Sequence, residues 1–100
     1  MKEILIEKLR SLLSRTEPRD LFDVHFILNR QLVNIEEISF ICAEKFEAKG
    51  LSPSDLHGVL DRKEKLYERY WHARLDGQMQ EIPEFDTVLR ETRRILSNYF

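Results

Sequence analysis

The sequence predicts an all-α fold, a single compact bundle of about five helices over residues 1–100. Three observations carry this. Apolar residues recur at helical spacing in five successive segments, and no segment alternates apolar and polar residues as a half-buried strand does. The breaks between segments carry helix punctuation: Thr16 with Pro18, Asn34 with Glu37, Gly50, Ser52 with Pro53, and Gly77 with Pro83. With 42% hydrophobic residues and only three Gly and three Pro in 100 residues, the chain forms one domain with one core. No internal repeat or low-complexity tract interrupts it.

The first helix spans residues 2–15, with Leu5, Leu9, Leu12 and Leu13 on one stripe. Ile4, Lys8, Ser11 and Arg15 gather away from the leucines, so two cations flank an exposed apolar side chain. Thr16 is positioned to cap a second helix, with Pro18 in its first turn and the helix running to Leu32. The short link between the two predicts an antiparallel hairpin. Leu21, Val24, His25, Leu28 and Leu32 form one apolar stripe of the second helix, and Phe22, Phe26 and Val33 form another. Two faces therefore require covering, the second by the long helix that bears Tyr67 and Trp71 or by another chain.

Asn34 and Glu37 match a capping box for a third helix, 35–49, with Ile35, Ile38, Ile41, Cys42 and Phe46 inward and Gly50 as its stop. Ser52, Pro53 and Asp55 open one long helix, 53 to about 75. Its stripe is Leu56, Val59, Leu60, Lys63, Leu66, Tyr67, Tyr70, Trp71 and Arg74, with Gly58 opposite. The segment LDGQMQEIPEF is a loop. Phe85, Val88, Leu89, Thr92, Leu96, Tyr99 and Phe100 define the closing helix.

Composition narrows the function classes. Sixteen basic against eighteen acidic residues leave a net charge of −2, which gives no general attraction to nucleic acid or to an anionic membrane. The single Cys42 cannot form an intramolecular disulfide, the opening MKEILIEKLR is too charged for a signal peptide, and no apolar run spans a bilayer. A soluble cytoplasmic chain is expected, with no membrane partner.

The chemistry concentrates in SRTEPRDLFDVHFIL. Asp20 and Asp23 lie three residues apart on one side of a helix whose other sides are apolar, with Arg19 at the edge. Carboxylates in such a place need cations, a metal or hydrogen-bond donors. The facing helix offers Lys8 and Arg15. One reading is an ionic network that ties the two helices; the other is a site in which Lys8 and Arg15 hold phosphates while Asp20 or Asp23 contacts a nucleotide, a metal or a proton in transfer. Both can hold together.

Other polar signals have structural readings. His25 sits on an apolar stripe without a nucleophile beside it. Asp55, His57 and Asp61 fall at a helix start, where acids favour the dipole, so no metal site is expected there. His72 is off the stripe, Tyr67, Tyr70 and Trp71 are read as core, Arg90, Arg93 and Arg94 as a solvated face, and Cys42 as a small hydrophobe.

The run EKLRSLLSRTEPRDLFDVHFIL, with Trp71 and then PEFDTVLRETRRIL from Pro83, resembles the C-terminal part of the AbiEii/AbiGii-type nucleotidyltransferases, toxins of abortive-infection toxin–antitoxin systems. In that family a lysine on one helix precedes an Arg-Asp-x-x-Asp signature on the next, matched here by Lys8, Arg19, Asp20 and Asp23. The resemblance implies a nucleoside triphosphate site facing a catalytic core: Asp20 and Asp23 as catalytic carboxylates, and Lys8, Arg15 and Arg19 as nucleotide-binding cations. Such enzymes carry an α/β core N-terminal to this region, with a glycine–serine loop and an acidic pair that holds the metal. Gly50, Gly58 and Gly77 stand in no such loop, and no Asp-x-Asp or Asp-x-Glu pair occurs.

The function expected is therefore an accessory, nucleotide-contacting helical domain that is inactive alone. It would bind no cofactor by itself and would meet nucleoside triphosphate and magnesium only with a separate core chain. A helical interaction module that self-associates, as a homodimer, or binds a partner through Phe22, Phe26 and Val33 is the competing expectation, and a small-ligand-binding bundle a third.

Overall fold

A computed structural model describes residues 1–100 as five helices: α1 (Lys2–Ser14), α2 (Pro18–Asn29), α3 (Ile35–Glu47), α4 (Asp55–Leu75) and α5 (Phe85–Ser97). There is no strand. The all-α expectation and the element count hold. The N-terminal hairpin holds as well: Asp20 meets Arg15 and Lys8, while Asp23, a turn further along α2, meets Lys8, which is the register of antiparallel neighbours. α2 packs between α1 and α5, α4 crosses all three, and α3 lies against α1. No helix is long and apolar enough to cross a membrane.

α1 buries Leu5, Ile6, Leu9 and Leu12. Leu13 is only partly covered, so the buried stripe is turned toward Ile6. The cap of α2 is Glu17, not Thr16, and no side chain bonds the helix start. The residue before a proline is held out of the α region, and Glu17 accordingly adopts an extended backbone (φ −116°, ψ 114°) and becomes the boundary. Pro18 then opens the helix where its missing N–H is of no consequence.

α2 also ends earlier than Leu32. Gln31 takes a left-handed backbone (φ 54°), the Leu32 amide donates to the Ile27 carbonyl at 3.1 Å and the Gln31 amide to the Leu28 carbonyl at 3.2 Å. This is a Schellman closure built on a glutamine. It swings Leu32 to the surface and Val33 into the core. The same closure ends the third helix, with Gly50 at φ 74° and bonds from Leu51 to Phe46 and from Gly50 to Glu47.

Half of the Asn34 and Glu37 capping box forms. Asn34 Oδ1 accepts from the Glu36 amide at 3.0 Å, but Glu37 turns away to pair with Lys2. Cys42 is buried, and burial pushes its thiol up to about 11. Ile41, expected on the same face as Ile38 and Cys42, is instead exposed at the edge of that face, next to Phe40, which is 71% exposed.

Along α4 the buried line is Leu56, Val59, Leu60, Tyr67, Trp71 and Leu75. Leu66 and Tyr70, expected in the core, stand one residue round the helix from Tyr67 and Trp71 and face solvent; Tyr70 carries Arg74 over its ring. Asp55 accepts from the Ser52 amide at the helix start, and Asp61 pairs with Arg93, so the Asp55, His57 and Asp61 set is divided among structural tasks. No group of His, Cys, Asp and Glu in the chain is arranged to hold a metal. Arg93 also reaches Glu64 at 2.8 Å, so it joins α5 to α4 and is not a solvated bystander. Trp71 anchors the 76–84 loop: its indole donates to the Pro83 carbonyl at 2.8 Å, and its ring meets Phe85 edge-on at 5.4 Å.

Candidate functional site

The hairpin brings Lys8, Arg15, Arg19, Asp20 and Asp23 into one continuous cluster. Arg15 grips Asp20 with two parallel bonds, Nε to Oδ2 at 2.7 Å and Nη2 to Oδ1 at 3.0 Å. Lys8 Nζ lies 3.1 Å from Asp20 Oδ1 and 3.1 Å from Asp23 Oδ2. Arg19 Nε donates to Asp23 Oδ1 at 2.9 Å, and its Nη1 to the Gln78 side-chain oxygen at 3.0 Å. The contacts run as a row: Arg15, Asp20, Lys8, Asp23, Arg19, Gln78.

Depth sorts the row by charge. Asp20 is 1% exposed, Lys8 27% and Arg15 59%. Asp20 forms the floor, Asp23 at 21% lies almost level with Lys8, and the two arginines reach furthest into solvent. The cluster itself joins three cations to two carboxylates, with Glu17 close enough to act on Arg15. Burial alone would push the Asp20 carboxyl up; hydrogen bonds from Arg15 and Lys8, with their charges behind them, outweigh it and hold the carboxyl below its ordinary value. Burial likewise works against the Lys8 ammonium, and the bonds to Asp23 and Asp20 outweigh it and raise its pKa. Asp20 is therefore held ionised and Lys8 protonated at neutral pH.

By the donor inventory, each guanidinium retains three N–H groups beyond those used and the ammonium retains one. These point to an anion as the natural ligand. A divalent cation does not fit here, since Asp20 and Asp23 already face Lys8 and each carries an arginine.

Three participants escape the sequence patterns. Lys63, within the apolar stripe of α4, donates to the carbonyls of Leu12 (3.2 Å) and Arg15 (3.1 Å), closing the open end of α1 and fixing the backbone that carries Arg15. Burial lowers its pKa, with the Arg62 charge adding to the effect. A lysine on an otherwise apolar stripe is the signal for such a role. Tyr67 is fully buried and its hydroxyl has no hydrogen-bond partner in the protein; burial, with Asp20 and Glu17 adding, pushes its pKa far up. Gln78 had no signal beyond being polar in a loop.

The remaining expectations fall outside the cluster. His25 Nε2 lies 3.5 Å from Glu91 on α5, which makes it a half-buried interhelical residue. The Phe22, Phe26 and Val33 stripe divides: Val33 is core, Phe22 is partly covered beneath Arg19, and Phe26 lies 37% exposed with Arg30 over its ring at 4.5 Å. The long helix packs on α2 but leaves Phe26 exposed, so that part of the expected stripe is not covered by α4. The largest concavity, about 550 Å³, lies between the α2–α3 connection and the end of α5, lined by Asn29, Gln31, Arg94 and Tyr99 among others, and shares no residue with the cluster.

Fold and site together define a small helical domain whose hairpin carries a cluster of three cations and two carboxylates, one of them, Asp20, buried. A family model described as the nucleotidyl transferase AbiEii toxin, type IV TA system, matches residues 1–91, and the chain belongs to that family. Neither curated proteins nor solved structures give a match.

Proposed function

We propose that this chain is the nucleotide-contacting helical part of an AbiEii-type nucleotidyltransferase, in which Lys8, Arg15 and Arg19 take the phosphates of a nucleoside triphosphate. The observation that supports this most is the set of unspent N–H donors on Lys8, Arg15 and Arg19, two of them braced by the buried Asp20. Asp20, which accepts three hydrogen bonds from Lys8 and Arg15, acts as the residue that positions those two cations. Asp23, more open than Asp20, is the carboxylate able to approach a ligand. On this reading magnesium is held outside residues 1–100, by a catalytic core, and residues 1–100 by themselves transfer no nucleotide and bind triphosphate weakly. A toxin of a toxin–antitoxin system also has a partner, which is consistent with a cytoplasmic setting.

The test is reconstitution. A compatible core added in trans with magnesium and labelled nucleoside triphosphates should restore transfer, and Lys8→Ala or Arg15→Ala should reduce the rate by about 100-fold, the usual loss for one preorganised donor at a developing charge. Circular dichroism should show both variants helical, since neither residue is on the leucine stripe. Variants that support transfer as well as wild type would refute the assignment.

One observation favours a second reading, a self-associating module: the most exposed apolar side chain is Phe40 on α3, beside Ile41, with Ile4 of α1 also exposed, and all three are more open than Phe26 of the expected stripe. Sedimentation should then show a dimer that Phe40→Ser converts to a folded monomer. A wild-type chain that stays monomeric up to about 100 μM, well past the range in which stable dimers form, rules this out.

A further inference from the structure

The row of side chains has a direction. At one end stands Arg15, the most open of its cations; Lys8 and then Arg19 follow, each bridged to the next by a shared carboxylate. At the other end the charge stops at Gln78, a neutral amide brought there by the turn that ends α4, where the Gln78 amide nitrogen bonds the Leu75 carbonyl at 2.9 Å. Gln78 Oε1 accepts from Arg19, which leaves the amide's two N–H donors free and exposed. The same end carries an aromatic surface: the Arg19 guanidinium lies 5.6 Å from the centre of the Phe22 ring, and Phe22 meets Phe26 at 6.1 Å.

A triphosphate is a linear polyanion, accepting hydrogen bonds along its length, and in a nucleotide it ends in a neutral group that both donates and accepts. The row has the same polarity. Resting on the phosphate-site reading above, we propose that Gln78 is a specificity-determining residue: the nucleoside lies at the Gln78 end, where the amide bonds the ribose hydroxyls or the base edge, and the terminal phosphate lies at the Arg15 end. The three cations already serve the phosphate oxygens, so the free N–H donors of the neutral Gln78 amide are left for the acceptors of the ribose or the base edge. The 76–84 loop is held at its far end by the bond from Trp71 to Pro83, so Gln78 is presented from a tethered segment.

The proposal separates two ligands. Inorganic tripolyphosphate carries the polyanion without the nucleoside; the four common nucleoside triphosphates carry both. Titrations of the isotope-labelled 100-residue chain, followed by the backbone and side-chain amide resonances at millimolar ligand, should show Gln78→Ala binding tripolyphosphate within twofold of wild type. Its affinity for the nucleotide that wild type prefers should fall about tenfold, and the preference among the four should flatten. Arg15→Ala should weaken all five ligands alike. If Gln78→Ala weakens tripolyphosphate as much as the nucleotides, Gln78 meets phosphate and the direction is wrong. If Gln78→Ala changes nothing while Arg15→Ala weakens every ligand, the phosphate site stands and the role of Gln78 falls. If wild type leaves the Lys8, Arg15 and Arg19 surroundings unmoved by tripolyphosphate and by every nucleotide, the phosphate-site reading itself falls and takes this inference with it.

Discussion

Replacing Trp71 by Ala should lower the unfolding free energy by about 4 kcal/mol, the middle of the range for truncating a buried aromatic. Trp71 is fully buried and belongs to the largest group of side chains in the core. Its loss removes apolar burial, the edge-on contact to Phe85 and the bond to the Pro83 carbonyl together. That carbonyl sits where the 76–84 loop turns into α5, so the loop loses its anchor as well. A chain of this size is stable by roughly 5–15 kcal/mol, and each kcal/mol moves the midpoint by about 4–8 °C, so a fall of roughly 20 °C is expected. Trp71→Phe separates the contributions: it keeps most of the packing and should cost about 1–2 kcal/mol, the range for a lost hydrogen bond plus a small volume defect. Urea unfolding followed by far-ultraviolet circular dichroism is the suitable measurement, because the variant removes the only tryptophan. A loss under about 1 kcal/mol for Trp71→Ala would mean that the loop and α5 close over the gap.

The Trp71 position was legible because aromatic and leucine residues recur with the helix period through α4, and a period is a property of neighbouring residues. The limits of legibility are equally physical. Gly50 announced its Schellman closure, since glycine is the residue that adopts a positive φ without strain, whereas Gln31 makes the same closure with no such mark. The periodic stripe of α2 therefore seemed to continue through Leu32. Period also fixes a line on a helix only to about one residue's rotation, and that was enough to place Leu66 and Tyr70 in the core when α4 exposes them.

The cluster was legible to a different extent. Lys8, Arg15, Asp20 and Asp23 share faces of two helices joined by a short link, and local geometry alone brings them together. Arg19 and Gln78 are 59 residues apart, and Lys63 meets Arg15 across 48. Such contacts depend on how α4 crosses the hairpin, which no spacing rule encodes. The resemblance to AbiEii-type enzymes pointed to the residues near the signature and was silent on those two.

Asp20→Asn should cost about 3 kcal/mol near neutral pH, the lower part of the range for breaking a buried ion pair at one end. The lower part applies because Lys8 and Arg15 are themselves partly in water and can turn outward once the carboxylate is gone. The amide keeps an acceptor for Arg15 but no charge to offset the two cations beside it. Acid titration gives this assignment a signature that a packing defect lacks. The Asp20 carboxyl is held below its ordinary value in the folded chain, so folding favours its ionised form. Its contribution is therefore fully present above the unfolded carboxyl's pKa, about 3.9, and is lost as pH falls through the lower folded value. The gap between wild type and Asp20→Asn should stay level from about pH 7 to pH 5, narrow below about pH 4 and close at the acid end, where both chains carry an uncharged group at position 20. Chemical denaturation at each pH measures it, with denaturant midpoints compared at constant slope. A gap that stays constant down to pH 2 would show that the cost is one of shape, and Asp20 would then be a packed polar residue and not the electrostatic floor on which Lys8 and Arg15 are set.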